Sequence, residues 1–273
     1  MQSLLKVEWL KIKKYNAFKV LSVFFLIGIF LSNYITFRLL KTVKESQAGM
    51  LIGSYSPYNF EYVWQTTSYV TGWLLILPTM LVIILVTNEF TYRTNRQNII
   101  DGWSRQQFID VKIALAALFA LVSTIVVVIT ALLFGLFSGT DFSVNGIEYI
   151  LYFLLKAFTY NMFAVLVSVL IRRTGFAIGV FFIYMGAENF AAAMLDVWSV
   201  KLRNIDGVDV GSMGSYLPIN AADGLLLFPE NPVKSMSSKA IATDYYWIIL
   251  ALALAYLALF IWWSRRRIIK SDL

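Results

Sequence analysis

The sequence predicts an all-α membrane protein of six transmembrane helices, and three observations predict it. Hydrophobic residues make up 59% of the chain and charged residues 14%, with a mean hydropathy of +0.70. Soluble domains lie near roughly half apolar and a quarter charged. The apolar residues are gathered into six blocks, each long enough to cross about 30 Å of hydrocarbon at ~1.5 Å per residue. The basic residues flank those blocks, where a membrane protein places them to set its orientation. The net charge of +7 and pI near 9.4 therefore read as topology and not as a nucleic-acid footprint. No large separate soluble domain fits between the blocks, so residues 1–273 read as one transmembrane domain.

The first element precedes the first span. Between Ser3 and Asn16, Leu5, Trp9 and Ile12 recur at helical spacing with lysines around the remaining surface. This pattern suits a helix lying in the interface plane, its lysines toward anionic headgroups of membrane lipids. The charged stretch, which includes Glu8, runs straight into an apolar block whose end at Ser32-Asn33-Tyr34 offers no small-x-small cleavage site. It is expected to remain as an anchor.

The spans follow at residues 20–37, 69–87, 113–137, 147–171, 174–195 and 245–263. Pro78 is expected to kink the second, because it lacks an amide proton and its ring crowds the previous turn. Gly175 with Gly179, and Ala116 with Ala120, are small-xxx-small pairs that allow close helix packing. Trp262-Trp263 before Arg265-Arg266-Arg267 reads as an interfacial anchor.

With the N-terminus inside, the cytoplasmic segments carry Lys6, Lys11, Lys13, Lys14, Lys19, Arg93, Arg96, Arg105, Lys112, Arg172, Arg173, Arg265, Arg266, Arg267 and Lys270, fifteen in all. The opposite side carries seven: Arg38, Lys41, Lys44, Lys201, Arg203, Lys234 and Lys239. Both termini are therefore expected in the cytoplasm. The last outer loop, residues 196–244, contains Leu217-Pro218 and the run Leu225-Leu226-Leu227-Phe228-Pro229. Solvated apolar patches of that kind are costly, so a short re-entrant or interfacial helix pair packed on the outer mouth is expected, the alternative being an ordinary folded loop.

The chain has neither cysteine nor histidine. Disulfides, thiolate nucleophiles, most zinc sites and the Ser-His-Asp triad fall away together. No spacing of residues suggests a catalytic or metal site. Two charges sit inside spans: Lys156 and Glu188, roughly 14 and 10 Å from the outer ends at ~1.5 Å per residue. Intramembrane charges usually pair or face a wet path, and the matched depths predict a Lys156–Glu188 ion pair.

The most informative stretch is the connection from Asn88 to Lys112. Joining neighbouring helices needs only about two to eight residues, so this length implies structure. Ile99, Ile100 and Trp103 form a small apolar face, Gly102 suits the left-handed end of a short helix, and Ser104 with Gln107 has the spacing of a capping box. The reading is helix, Gly-Ser corner, then a helix running into the third span. It projects amides, arginines and a tryptophan from the bundle.

Glu89, Arg93-Thr94, Arg96-Gln97-Asn98, Asp101-Gly102, Ser104-Arg105 and Lys112 resemble the signature of type-2 ABC transporter permeases. That signature often reads Glu, then Thr, then a Gly-x-Ser-Arg corner and Lys. Arg93 is a departure, since many members have glycine before the threonine. The chain is similar to the small permeases that accompany bacitracin-like and lantibiotic export systems. The resemblance implies a coupling helix, Glu89 to Arg105, that docks into a separate cytoplasmic ABC ATPase. It further implies a dimer of permeases, with ATP and Mg²⁺ bound by the partner and none by this chain. The chain itself has no G-x-x-x-x-G-K-[ST] loop, and the implied site is the bacterial cytoplasmic membrane. The implied function is an ATP-driven exporter, for which six greasy spans suit a hydrophobic or amphipathic cargo such as a peptide or lipid-like compound. An ion-gradient-driven transporter using Lys156 and Glu188, or a membrane enzyme using Glu188, Asp196 and Asp223, are the alternatives.

Overall fold

The structure, a computed structural model, describes residues 2–45, 56–205, 207–229 and 245–270. Among the described residues the chain is helical throughout, with turns and no strand. In order come α1 Gln2–Ile12, α2 Asn16–Glu45, α3 Val63–Gly72 and a 3₁₀ turn Trp73–Leu75. Next are α4 Ile76–Thr91, α5 Thr94–Ile100, α6 Arg105–Phe137, α7 Glu148–Ile171 and α8 Thr174–Ile205. A 3₁₀ turn Met213–Tyr216, α9 Asn220–Asp223 and α10 Tyr246–Lys270 complete the series. Six stretches of the described residues are long and apolar enough to cross a membrane: α2, α3 with α4, α6, α7, α8 and α10.

The helices outrun the hydrophobic blocks that announce them. α6 begins eight residues before Ile113 and α8 continues ten beyond Leu195. Hydropathy marks only the stretch that must avoid water, whereas backbone hydrogen bonding carries a helix on through polar sequence until a cap stops it. The irregularity expected at Pro78 lies one turn earlier, in Trp73–Leu75. Pro78 has no amide to offer the carbonyl of Leu74, four residues back, and its ring crowds that carbonyl, so the distortion falls on the preceding turn.

α7 is the central helix. Seventy-two per cent of its membrane stretch is buried, against 17% for α2 and 22% each for α8 and α10. It packs on α4, α6, α8 and α10, and alanines at 157 and 164 let these neighbours approach. In a bilayer such packing is driven by contact and interhelical hydrogen bonds, because lipid tails are as apolar as leucine. Asn161 of α7 supplies such bonds. Its amide donates to the Ala116 carbonyl of α6 at 3.0 Å, and its oxygen accepts from Thr79 of α4 at 3.2 Å. Ala116 and Ala120 are fully buried, as close packing requires. Gly175 and Gly179 face open space instead, so that pair serves no contact among the described residues.

α1, the connection 92–104, the α7–α8 turn and the end of α10 gather at one end of the bundle, here the basic end. Trp262 there lies under the Arg266 guanidinium at 5.0 Å. The segment 212–229 covers the far end. Its two short helical turns bury Ala221, Ala222, Leu225 and Leu226 against α7, α8 and α10, and Phe228 stacks edge-on to Tyr69 at 5.5 Å. The expected helix pair is therefore two single turns. The remainder of the long loop, with Lys234 and Lys239, lies outside the described residues, as do the side chains of Lys44 and Leu5.

Candidate functional site

The basic end is organised around a knot of four charges. Lys112, in the first turns of α6 and 1% exposed, donates to Glu8 Oε2 of α1 and to Glu89 Oε1 of α4, each at 2.6 Å. Lys11 bridges the same carboxylates at 3.0 and 3.3 Å, and Asn98 of α5 donates to Glu89 Oε2 at 3.4 Å. Two carboxylates and two ammoniums sum to zero, so the buried charge is compensated within the knot. Breaking such a set from one side is costly because it strands a buried ion. Burial alone would raise the Glu8 pKa, but the Lys112 and Lys11 ammoniums outweigh it and hold the carboxyl below its ordinary value. Lys11 shows the mirror image: partial burial works against its charge, yet Glu89 and Glu8 raise its pKa above the usual lysine value. One cluster thus ties together α1, the end of α4, the short helix α5 and the start of α6.

The corner beyond the knot is shaped by local rules. α4 ends at Thr91, and Arg93 takes the left-handed conformation, φ 57°, before α5 begins. This is the position where the resemblance expects glycine, and the backbone explains why. α5 closes with a Schellman motif: Gly102 donates to the Ile99 carbonyl and Trp103 to the Asn98 carbonyl, both at 3.0 Å, with Gly102 at φ 101°. Ser104 then caps α6, its hydroxyl accepting from the Gln107 amide while the Gln107 side chain accepts from the Ser104 amide. The helix, corner, helix reading is the observed one.

The expected docking residues divide into three groups. Arg93, Arg96, Gln97, Asp101, Gly102, Ser104 and Arg105 are exposed, Arg105 also donating to the Ile269 carbonyl at 3.2 Å. Thr94 and Trp103 are half-buried, and the Lys11 ammonium stands 5.8 Å from the Trp103 ring. Glu89 and Asn98 are buried in the knot and offer no surface to a partner. Nor do Ile99, Ile100 and Trp103 form a common inward face. α5 rests on Asn95 and Asn98, because the polar knot beneath it wants amides, and Ile100 is turned outward at 83% exposure, near Tyr92 at 72%. Sequence reasoning overlooked Glu8, Lys11 and Tyr92. Glu8 left a signal, as the one acidic residue in a lysine-rich helix.

The expected Lys156–Glu188 pair does not form. Lys156 binds Asp223 Oδ1 at 3.0 Å, and Tyr160 donates to the same carboxylate at 2.9 and 3.0 Å. Glu188 Oε1 accepts from the Ile219 and Asn220 amides at 2.6 and 2.8 Å and from the Asn220 side chain at 3.1 Å. The physical reason is the 212–229 segment: it descends between the two helices and offers each charge a nearer partner. Asp196 joins in, accepting from Ser212 Oγ at 2.8 Å and the Gly214 amide at 2.7 Å. All three carboxylates considered for catalysis thus hold this segment on the bundle.

No curated protein matches the chain. The family model for ABC-2 family transporter proteins matches residues 4–188, a stretch that runs from α1 through the corner and into α8. With six membrane-crossing helices and an ordered corner between the second and third, the chain belongs to the ABC-2 family of transporter proteins.

Proposed function

We propose that this chain is the permease subunit of an ATP-driven exporter in the bacterial cytoplasmic membrane. Both termini and the 92–104 corner face the cytoplasm in this reading. Two permeases and two copies of an ABC ATPase make the transporter, ATP and Mg²⁺ bind the ATPase, and the cargo is hydrophobic or amphipathic. The observation that carries the reading is the corner itself, a short helix presenting Tyr92, Arg93, Arg96, Gln97 and Ile100 outward. It is anchored from behind by a compensated charge knot. A large exposed isoleucine among arginines and amides is poorly solvated and suits the rim-and-anchor pattern of a protein interface. Because Glu89, Asn98 and Lys112 join the corner to α1, α4 and α6, a displacement of the docked ATPase moves three helices together. Lys156 and Glu188, on which the ion-gradient alternative rests, each bind the 219–223 turn and not one another.

Affinity purification tests it. Tagged permease is expected to bring down an ABC ATPase carrying the G-x-x-x-x-G-K-[ST] loop, and Arg96→Glu with Ile100→Glu is expected to abolish this without changing the melting temperature. Retention of the ATPase by the double variant would place docking elsewhere, and absence of any ATPase from an active complex would sink the exporter reading.

A further inference from the structure

A cavity of about 450 Å³ opens near the far end, between α3 and α4 on one side and α7, α8 and α9 on the other. Its size falls in the range of roughly 300–1,000 Å³ typical of small-molecule sites. One wall is aromatic and apolar, with Tyr69, Trp73 and Phe182. The other holds Lys156, Tyr160 and Asp223. Lys156 is withdrawn: its side chain is 10% exposed, against 29% for Asp223, and its ammonium tucks against Gly72, where an added Cβ would stand 3.0 Å from Nζ. A molecule entering the cavity therefore meets the carboxylate before the amine.

The charges around the cavity do not cancel. Lys156 offsets Asp223, but Glu188 is 8% exposed and accepts from the neutral amides of Ile219 and Asn220 with no cation bound to it among the described residues. Its second oxygen has no hydrogen-bond partner among the described residues. Asn220 and Asn189, one its bonded partner and the other its chain neighbour, both line the cavity. One lysine and two carboxylates leave a net negative charge in a low-dielectric setting, where an uncompensated ion acts strongly on whatever comes near. Trp73, 68% exposed at the cavity edge, and Tyr69 edge-on to it at 6.4 Å add ring faces that attract cations.

We infer that this cavity binds amphipathic cations, the apolar body lying on Tyr69, Trp73 and Phe182 and the positive group directed toward Asp223. The inference rests on the transporter reading only for its meaning, as a cargo class. Binding itself requires no ATPase.

The test uses the full-length permease in lipid nanodiscs, with radiolabelled tetraphenylphosphonium as probe and tetraphenylborate as the anion of the same shape. Binding to empty nanodiscs is subtracted. The phosphonium is expected to bind saturably and the borate at least tenfold more weakly. Asp223→Asn should raise the phosphonium Kd about tenfold. Because that variant also releases Lys156, Gly186→Phe is the second: Gly186 lines the cavity and has open space before it, so a ring there fills the site without touching a charge and should raise the Kd at least as much. Equal or tighter borate binding would make this an anion site governed by Lys156. Phosphonium binding no greater than in empty discs, or a Kd within twofold of wild type in both variants, would overturn the inference. If the ATPase copurifies and the phosphonium fails to bind, only the site is lost. If the phosphonium binds and no ATPase associates, only the exporter reading is lost.

Discussion

At the scale of single residues, Glu8 and Lys112 decide whether the amphipathic first helix belongs to the machine or merely lies on the lipid. Lys112 is buried and shares its ammonium between Glu8 and Glu89. Glu8→Gln removes one of two negative charges and leaves two ammoniums facing one carboxylate. Loss of one side of a buried ion pair costs about 3–5 kcal/mol, so the variant should melt well below wild type in detergent, while Lys6→Gln, on the exposed side of α1, should not. An unchanged melting temperature for Glu8→Gln would mean that the knot carries no hold. The pH dependence has a definite sign. The Glu8 pKa is lowered on folding, so its contribution is present above the ordinary value of 4.5 and is lost as pH falls through the lower folded value. The Lys11 pKa is raised, so its contribution is complete below 10.5 and is lost as pH rises through the higher folded value. The Glu8 contribution should therefore stay level above 4.5 and the Lys11 contribution below 10.5, and in Glu8→Gln the acid limb attributable to Glu8 should vanish.

At the scale of elements, the corner shows what was legible and what was not. Gly102, Ser104 and Gln107 announce the end of one helix and the start of the next because capping is local chemistry, fixed within four residues. The six spans are legible for a similar reason, since hydropathy needs no knowledge of neighbours. The inward face of α5 was not legible: Asn95 and Asn98 are buried because of a charge knot built from residues 8, 11 and 112, which no window around α5 contains. The partner of Lys156 was hidden likewise, because Asp223 arrives from a loop 67 residues away in sequence. Local backbone strain gives two predictions of opposite sign from one corner. Arg93 has an exposed side chain and a left-handed backbone, so Arg93→Gly should stabilise the fold by about 1 kcal/mol. Gly102→Val places a branched side chain at φ 101° with nothing within 4 Å to clash, so its cost, about 1–2 kcal/mol, is backbone strain alone. Paired thermal melts check both, and a fall in stability for Arg93→Gly would show that the guanidinium holds something the backbone account omits.

At the scale of the whole molecule, the charge knot, the corner and the orientation are one problem. α6 has 33 residues, about 50 Å at ~1.5 Å per residue, whereas the hydrocarbon needs about 30 Å. If residues 113–137 lie in the bilayer, the turns from Arg105 to Lys112 overhang it by about 12 Å, which puts the four charges near the headgroup level expected for α1. The basic residues counted on that side, fifteen against seven, predict that it faces the cytoplasm. The cysteine-free sequence permits a direct check with single-cysteine variants and a membrane-impermeant maleimide. Asp101→Cys, exposed on the corner, should be labelled only after cells are permeabilised. Asn145→Cys, exposed in the far-end turn between α6 and α7, should be labelled in intact cells. The inverse pattern would turn the molecule over and remove the corner from reach of any cytoplasmic ATPase, even with every contact described above still in place.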